Sequence, residues 1–166
     1  MFIFVLLVES GKSSLNLQAL TLSISVESLL RYEFNHLYEI SESLRRNIAC
    51  SSQIVIESSL LDHNFRQRLL GSIASMKNAR AKDILFKLRD NGIIDKQLIK
   101  VYGNLRNKAA HGVNDTGADL QNYSNEISAV LVLFNQLVFL LIGYNGEYTD
   151  YGTYNYPTRT FEINAL

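Results

Sequence analysis

The segment from Arg106 to His111 carries the chain's most reactive combination of side chains. It is Arg-Asn-Lys-Ala-Ala-His, followed by Gly112, so a permanent cation, an amide and a titratable imidazole meet near one predicted helix end. Cleavage of RNA without a metal needs a group that moves protons at the 2′-hydroxyl and the leaving oxygen, and a cation for the charge that grows on the phosphate. His111 and Arg106 are residue types that fill those two roles. A structural interpretation stays open, in which His111 lies at a helix C-terminus, where a cation is favoured, and Gly112 ends the helix.

The sequence Leu-Arg-Asn-Lys-Ala-Ala-His-Gly at 105–112 resembles the Arg-x4-6-His signature of the HEPN superfamily, in which a polar residue commonly follows the arginine, as Asn107 does here. The resemblance implies an all-α bundle of which two copies pair, so that their motifs line a composite RNA cleft. It also implies metal-independent cleavage of RNA, tRNA included, that leaves a 2′,3′-cyclic phosphate. The Ala-His-Gly ending and the long first helix look most like the HEPN domains at the C-termini of anti-phage and abortive-infection proteins, and similar domains occur in toxin–antitoxin systems.

This resemblance assigns a role to each polar residue of the segment. His111 is expected to act as general base or acid, Arg106 to stabilise the transition state, and Asn107 to position a phosphate or hold the histidine. Lys108 is expected to contact the RNA backbone. Because residues five apart on a helix are about 140° apart around its axis, we expect the helix to end or bend between Arg106 and His111. Two alternatives stay open: a catalytically inactive HEPN-like module that dimerises or binds a nucleotide or partner, and a helical domain whose motif match is accidental.

Glu27 is a candidate orienting carboxylate. On a helix it shares a face with apolar residues such as Leu20 and Ile24, where an unpaired carboxylate would be costly. We therefore expect a cationic partner for Glu27, with Arg106 and His111 as the candidates. The alternative is a partly exposed position at the edge of the apolar stripe.

Charge is distributed unevenly along the 166 residues, although the formal net charge is zero. From Arg66 to Lys108 there are 11 Lys or Arg against 3 Asp, whereas residues 1–65 and 109–166 are both acidic. A basic segment that ends at the motif is what an RNA-facing surface needs, since phosphate neutralisation supplies much of the affinity. The same cations also suit the solvated faces of amphipathic helices.

The pattern of apolar residues predicts a mainly helical chain. The single proline, Pro157, lies in the tail, so nothing before it forbids long helices. Three- and four-residue apolar steps predict helices at about 14–38, at 50–76 with a Ser content that allows breaks, at 79–89, from a cap at Asp95 to Ala110, and from a cap at Asp119 to about Ile142. The expected fold is all-α: an up-and-down bundle of about five helices with a short Tyr-rich C-terminal arm or hairpin.

The chain is expected to form one domain with two appendages. Residues 1–12 are predicted to be an extension, the remnant of a preceding domain, and residues 13–143 the HEPN-like bundle. Residues 144–166 are predicted to be a Tyr-rich tail, which either stacks on RNA bases or packs as a hairpin on its own bundle, the more common arrangement. A fused sensor domain or an antitoxin is an expected partner.

Two other kinds of site that the sequence suggests, a phosphate-binding loop and a metal site, each lack a required element. Residues 9–13, Glu-Ser-Gly-Lys-Ser, imitate a phosphate-binding loop, but Leu6 stands where that loop needs a glycine. His36 and His63 form no helix pair with metal-ligand spacing, so neither a metal ion nor another cofactor is expected.

Location is predicted from two features. Cys50 is the only cysteine and has no disulfide partner within the chain, which favours a cytoplasmic compartment. The apolar run at 127–142 has polar interruptions and covers fewer than the roughly 20 residues that a membrane span needs, so no membrane association is expected.

Overall fold

The chain folds into a helical bundle with a small C-terminal sheet, in a computed structural model that describes residues 14–111 and 117–163. The described helices are α1 Leu15–Glu33, α2 Glu42–Glu57, α3 His63–Ser75, α4 Ala81–Asp90, α5 Lys96–His111 and α6 Gly117–Ile142. A 3-10 turn, Asn35–Leu37, follows α1, and the strands are β1 Gly146–Thr149 and β2 Thr158–Phe161. The predicted all-α bundle with a C-terminal hairpin is confirmed, with six described helices instead of about five. The expected extension at 1–12 lies outside the described residues.

The additional helix arises because the predicted helix at 50–76 is two helices. Ser41 Oγ accepts the N–H of Leu44 at 3.2 Å and starts α2 earlier than expected. Asp62 Oδ1 accepts the N–H of Phe65 at 3.0 Å and starts α3. Each cap satisfies a backbone donor that the first turn of a helix leaves unpaired, and so each fixes a helix start.

Helices α1, α5 and α6 pack against one another and build the core, and α4 packs on α1 and α5. Their apolar faces supply the fully buried side chains, among them Val26 and Leu30 of α1, Leu85 and Leu88 of α4, Leu105 of α5, and Val130, Leu133 and Leu137 of α6. Helices α2 and α3 pack mainly on each other, and their buried residues, Ile48 and Ile73, are not part of that core. The described bundle is therefore four helices with a helical pair beside it.

Helix α6 already includes Asp119, because it begins at Gly117. The predicted cap at Asp119 is therefore wrong. By length and composition, Leu120–Ile142 is the one helix in the described part of the chain that could cross a membrane, a test that core helices of soluble proteins also pass. The packing of α6 on α1 and α5 is compatible with a soluble protein. The expectations of a cytoplasmic location and of no membrane contact stay predictions.

The C-terminal hairpin lies on the bundle. Gly146 pairs with Phe161 and Thr149 with Thr158 in an antiparallel register. Phe161 belongs to the core, and its ring lies 5.6 Å from that of Phe139 on α6. Apolar contacts thus attach the tail to the end of α6.

The loop between the two strands is organised around Asp150. Its carboxylate accepts from Arg159 Nε at 2.5 Å, from Thr153 Oγ1 at 2.8 Å and from the Gly152 N–H at 2.9 Å. Burial by itself would raise the pKa of Asp150, but the hydrogen bonds from Thr153, Arg159 and Gly152 outweigh it and lower that pKa below its usual value. The charged carboxylate therefore stabilises the loop.

Helix α5 is continuous through the reactive segment. Asp95 Oδ1 accepts the N–H of Gln97 at 2.5 Å, as a cap at this position should. All residues from Lys96 to His111 are helical. The expected end or bend between Arg106 and His111 is therefore wrong.

Candidate functional site

Arg106 and Asn107 line a cleft of about 1190 Å³, which runs between the end of α1, the connection from α3 to α4, α4 and one face of α5. Among the described residues, its walls carry six cations and two carboxylates. The cations are Arg31, Arg80, Lys82, Lys96, Lys100 and Arg106, and the carboxylates are Glu27 and Asp83. The excess of positive charge favours a polyanionic ligand.

Glu27 of α1 holds Arg106 at the cleft wall. Arg106 Nε lies 3.2 Å and Nη2 3.1 Å from Glu27 Oε2, while Glu27 Oε1 accepts from Arg31 Nη2 at 3.2 Å. Of the two expected partners, the described residues thus bring Arg106 to Glu27. Because the contact uses the Nε and Nη2 side of the guanidinium, Nη1 and the outer N–H of Nη2 remain for a second anion. The Arg106 side chain is 54% exposed, so that edge is open to the cleft.

Tyr102 lies one helical turn before Arg106 and is only 4% exposed. Among the described residues its hydroxyl has no hydrogen-bond partner. Burial, with the nearby charge of Glu27, raises the pKa of Tyr102 to about 12, and Arg106 partly opposes the rise. The hydroxyl therefore stays protonated and remains a donor beside the ion pair. Sequence reasoning missed this residue, because a tyrosine on the apolar face of a helix gives no sign that its hydroxyl lacks a partner.

Lys96 and Lys100 are further cations that sequence reasoning did not single out. They are four residues apart on α5, so they lie on one face, and both line the cleft with Asn107. In the described part of the chain, no carboxylate forms an ion pair with either ammonium group. The spacing was a usable signal, because it aligns the two lysines along the helix toward the motif.

The far wall of the cleft comes from α4 and the residues before it. Asp83 accepts from the backbone N–H of Arg80 at 3.2 Å and from its guanidinium at 3.0 Å. The side-chain hydrogen bond from Arg80 lowers the pKa of Asp83. Phe86 lies one turn on, partly buried, with Lys82 Nζ 5.4 Å and Arg89 Cζ 4.7 Å from the ring centre. The wall therefore offers an aromatic ring among cations, a combination found where proteins bind single-stranded nucleic acids.

Lys108 does not line this cleft. Its Nζ lies 2.8 Å from both carboxylate oxygens of Glu126 and so connects α5 to α6. The expected contact of Lys108 with an RNA backbone stays a prediction. One residue beyond Asn107, the helix has turned by about 100° toward its neighbour α6.

His111 is the last residue of α5, and its side chain lies outside the described part of the structure. Its backbone position is one turn beyond Asn107 on the same helix face, and about 140° around the axis from Arg106. Helix α5 thus places positions 107 and 111 on one face, while Arg106 faces α1.

Across the described residues, no three His, Cys, Asp or Glu side chains gather closely enough to hold a metal ion. Cys50 is exposed on α2, among residues that do not line the cleft. No family model, curated protein or solved structure matches this chain.

Proposed function

We propose that this chain is a metal-independent endoribonuclease of the HEPN type, which cleaves RNA or tRNA to 2′,3′-cyclic phosphate ends in anti-phage defence or as a toxin. The observation that carries the proposal is the cationic cleft whose wall contains both Arg106 and Asn107. A cleft of that charge attracts a phosphodiester backbone, and the motif supplies the groups that act on it.

Arg106 is the proposed electrostatic catalyst. Its open guanidinium edge can bind two oxygens of one phosphate, and such a fork stabilises the charge that grows during attack. Glu27 keeps this edge aimed into the cleft by occupying the other side of the guanidinium. Asn107 donates to a phosphate oxygen, and Lys96 and Lys100 neutralise the flanking phosphates.

His111 is the proposed proton-transfer group. The 2′-hydroxyl oxygen attacks the adjacent phosphorus as a neutral imidazole takes its proton; the P–O5′ bond breaks, and the leaving oxygen takes a proton from an imidazolium. Histidine suits both steps because its ordinary pKa lies near neutrality. One imidazole cannot hold both protonation states at once, so a second copy of the chain supplies the other.

An exposed apolar stripe on α1 supports such pairing. Leu17, Leu20 and Ile24 are 49%, 40% and 54% exposed, and their spacing places them in line with Glu27. A second copy that covers this stripe would lie beside the cleft, as a composite site requires.

The test is an RNA cleavage assay in excess EDTA with total RNA and tRNA. We expect the wild type to leave 2′,3′-cyclic phosphate ends, and His111→Ala and Arg106→Ala each to lower the rate by about 100-fold or more. Arg106→Ala should stay folded because Glu27 keeps Arg31 as a partner, and His111→Ala because alanine favours a helix. Arg46→Ala is the matched control, since that arginine is exposed on α2 and pairs only with Glu42 in the described part of the chain.

Light scattering and the cleavage assay on the same protein samples distinguish the enzyme from a binding module. The engagement of both Arg31 and Arg106 by Glu27 also suits a catalytically inactive HEPN-like module, in which these arginines are structural. Light scattering that shows a dimer, together with no cleavage by the wild type, would establish the module. Cleavage by His111→Ala at the wild-type rate would overturn the proposed mechanism.

A further inference from the structure

The buried hydroxyl of Tyr102 has no role in the mechanism above. It lies at the wall of the cleft and, among the described residues, lacks a hydrogen-bond partner. A buried polar group without a partner is costly, and a hydrogen bond formed in another state of the protein is one way to offset that cost. Tyr102 is four residues before Arg106, so the two share one face of α5, and both line the cleft with Glu27.

Glu27 holds its two arginines unequally. Arg106 contacts Oε2 through two nitrogens, whereas Arg31 makes one contact with Oε1 at 3.2 Å and is 62% exposed. An exposed single contact is weak, so Arg31 is the partner that a phosphate in the cleft draws away first. Its departure would leave Oε1 of a partly buried carboxylate without a donor.

We propose that Tyr102 is a positioning residue whose hydroxyl donates to Glu27 when substrate phosphate takes Arg31, and that it thereby keeps Glu27 and Arg106 in place. This inference rests on the proposed function, since the phosphate is that of bound RNA. Tyr102 acts through Glu27 and touches no reacting atom. The high pKa of Tyr102 keeps the hydroxyl protonated at any pH at which RNA is bound.

Tyr102→Phe is the informative variant, because it removes the hydroxyl and keeps the ring. The hydrogen bond is absent in the free protein and present equally in the bound ground state and transition state. We therefore expect KM, and the Kd for an uncleavable 2′-O-methyl RNA, to rise about fivefold, with kcat changed less than twofold. The unfolding midpoint should not fall, since a buried unpaired hydroxyl is lost. Tyr123→Phe, at a tyrosine 1% exposed on α6 and outside the cleft, should keep the wild-type Kd.

The Arg31→Ala background provides a second test, in which the unfolding midpoint is measured without RNA. In that background Glu27 already lacks Arg31, so Tyr102 already donates to Glu27 in the free protein. Adding Tyr102→Phe should now lower the unfolding midpoint by about 3 °C and should no longer weaken RNA binding. This reversal of the stability effect is not expected of a tyrosine that only packs in the core.

Three results would count against the inference: a Kd within twofold of wild type in Tyr102→Phe, the same Kd increase in both backgrounds, or the same midpoint shift in both. If the wild type neither binds nor cleaves RNA, the proposed function fails. The stability comparison then still decides the partner of the hydroxyl, since a midpoint loss confined to the Arg31→Ala background supports the contact and equal shifts overturn it.

Discussion

Two arginine–carboxylate pairs of this molecule, Arg106 with Glu27 in the cleft and Arg159 with Asp150 in the hairpin, use the same groups in different surroundings. The Asp150 side chain is 8% exposed and accepts hydrogen bonds from three described donors, two of them in its own loop. The Glu27 side chain is 27% exposed, and its described partners are two long arginine side chains. The first arrangement fixes a loop, whereas the second can exchange a partner.

The difference lies in how many short, rigid donors each carboxylate has. A backbone N–H and a threonine hydroxyl lose little conformational freedom on binding Asp150, so that carboxylate is difficult to release. Arginine side chains carry much rotamer entropy, so the contacts of Glu27 are weak enough for a phosphate to compete. A structural pair and a candidate binding pair are thus distinguished by their partners rather than by their own chemistry.

The largest effect is expected at the structural pair. Asp150→Asn should lower the free energy of unfolding by about 2 kcal/mol at pH 7, because a neutral amide accepts poorly from these donors. Since the folded-state pKa of Asp150 is lowered, the charged group stabilises the fold above its unfolded pKa of about 3.9, and that stability is lost as pH falls through the lower folded value. Urea unfolding at several pH values should therefore show the wild type and Asp150→Asn converging below about pH 4.

Glu162→Gln is the control for this comparison, because Glu162 is exposed just after β2. It should change the unfolding free energy by less than about 0.5 kcal/mol at either pH. Below its unfolding transition, Asp150→Asn should cleave RNA within twofold of wild type. A folded Asp150→Asn protein without cleavage would mean that the hairpin belongs to the site and would remove the distinction between the two pairs.

Alanine substitutions at two glycines give the second contrast. They should change the free energy of unfolding by moderate amounts and in opposite directions. A Cβ at Gly152 would lie 2.9 Å from Ala129 Cα, whereas a Cβ at Gly103, in the cleft face of α5, meets nothing within 4 Å. Gly152→Ala should therefore lower the free energy of unfolding by about 1.5 kcal/mol through overpacking. Gly103→Ala should stabilise α5 by about 0.5–1 kcal/mol, since alanine favours a helix interior, yet weaken RNA binding by narrowing the cleft.

Urea unfolding of the two alanine variants measures this contrast. A lower free energy of unfolding in Gly152→Ala and a higher one in Gly103→Ala would show that the hairpin contact is tightly packed and that the cleft is open. A destabilised Gly103→Ala would instead mean that the cleft wall is packed in solution.

The sequence predicts most of the fold because periodicity and caps are local. Asp95 begins α5 as its capping chemistry requires, and the buried face of α1 carries Ala19, Leu22, Val26, Leu29 and Leu30. The split of the predicted helix at 50–76 depended on Asp62, whose capping role competes with an otherwise helical pattern. The predicted bend after Arg106 was wrong because only the five-residue spacing suggested it, while Lys108, Ala109 and Ala110 are good helix formers.

The candidate site was predicted only in part, because its contacts join distant segments. Because Glu27 shares a helix face with apolar residues, a cationic partner was expected. Periodicity alone cannot identify a partner that lies 79 residues away in the sequence. The ion pair of Lys108 could not be predicted either, because its partner Glu126 lies on another helix. Tyr102 carries no sequence signal, since a buried tyrosine is ordinary until its hydroxyl lacks a partner.

The smallest effect is expected when aromatic side chains of the two regions are replaced and RNA affinity is compared. Phe86 lies in the cationic cleft, whereas Tyr154 is 89% exposed in the hairpin loop. If RNA bases stack in the cleft, Phe86→Leu should weaken binding of a single-stranded 2′-O-methyl RNA by about 1 kcal/mol, roughly fivefold in Kd. Tyr154→Leu should leave Kd unchanged. Fluorescence anisotropy at several salt concentrations measures both.

The salt dependence separates stacking from charge. Phe86→Leu should keep the wild-type slope of log Kd against log salt, because no phosphate contact is lost. Lys100→Ala should make the slope shallower by about one unit, because one phosphate contact is lost. If Tyr154→Leu weakens binding and Phe86→Leu does not, the RNA surface is the hairpin, and Asp150, not Glu27, lies beside the ligand.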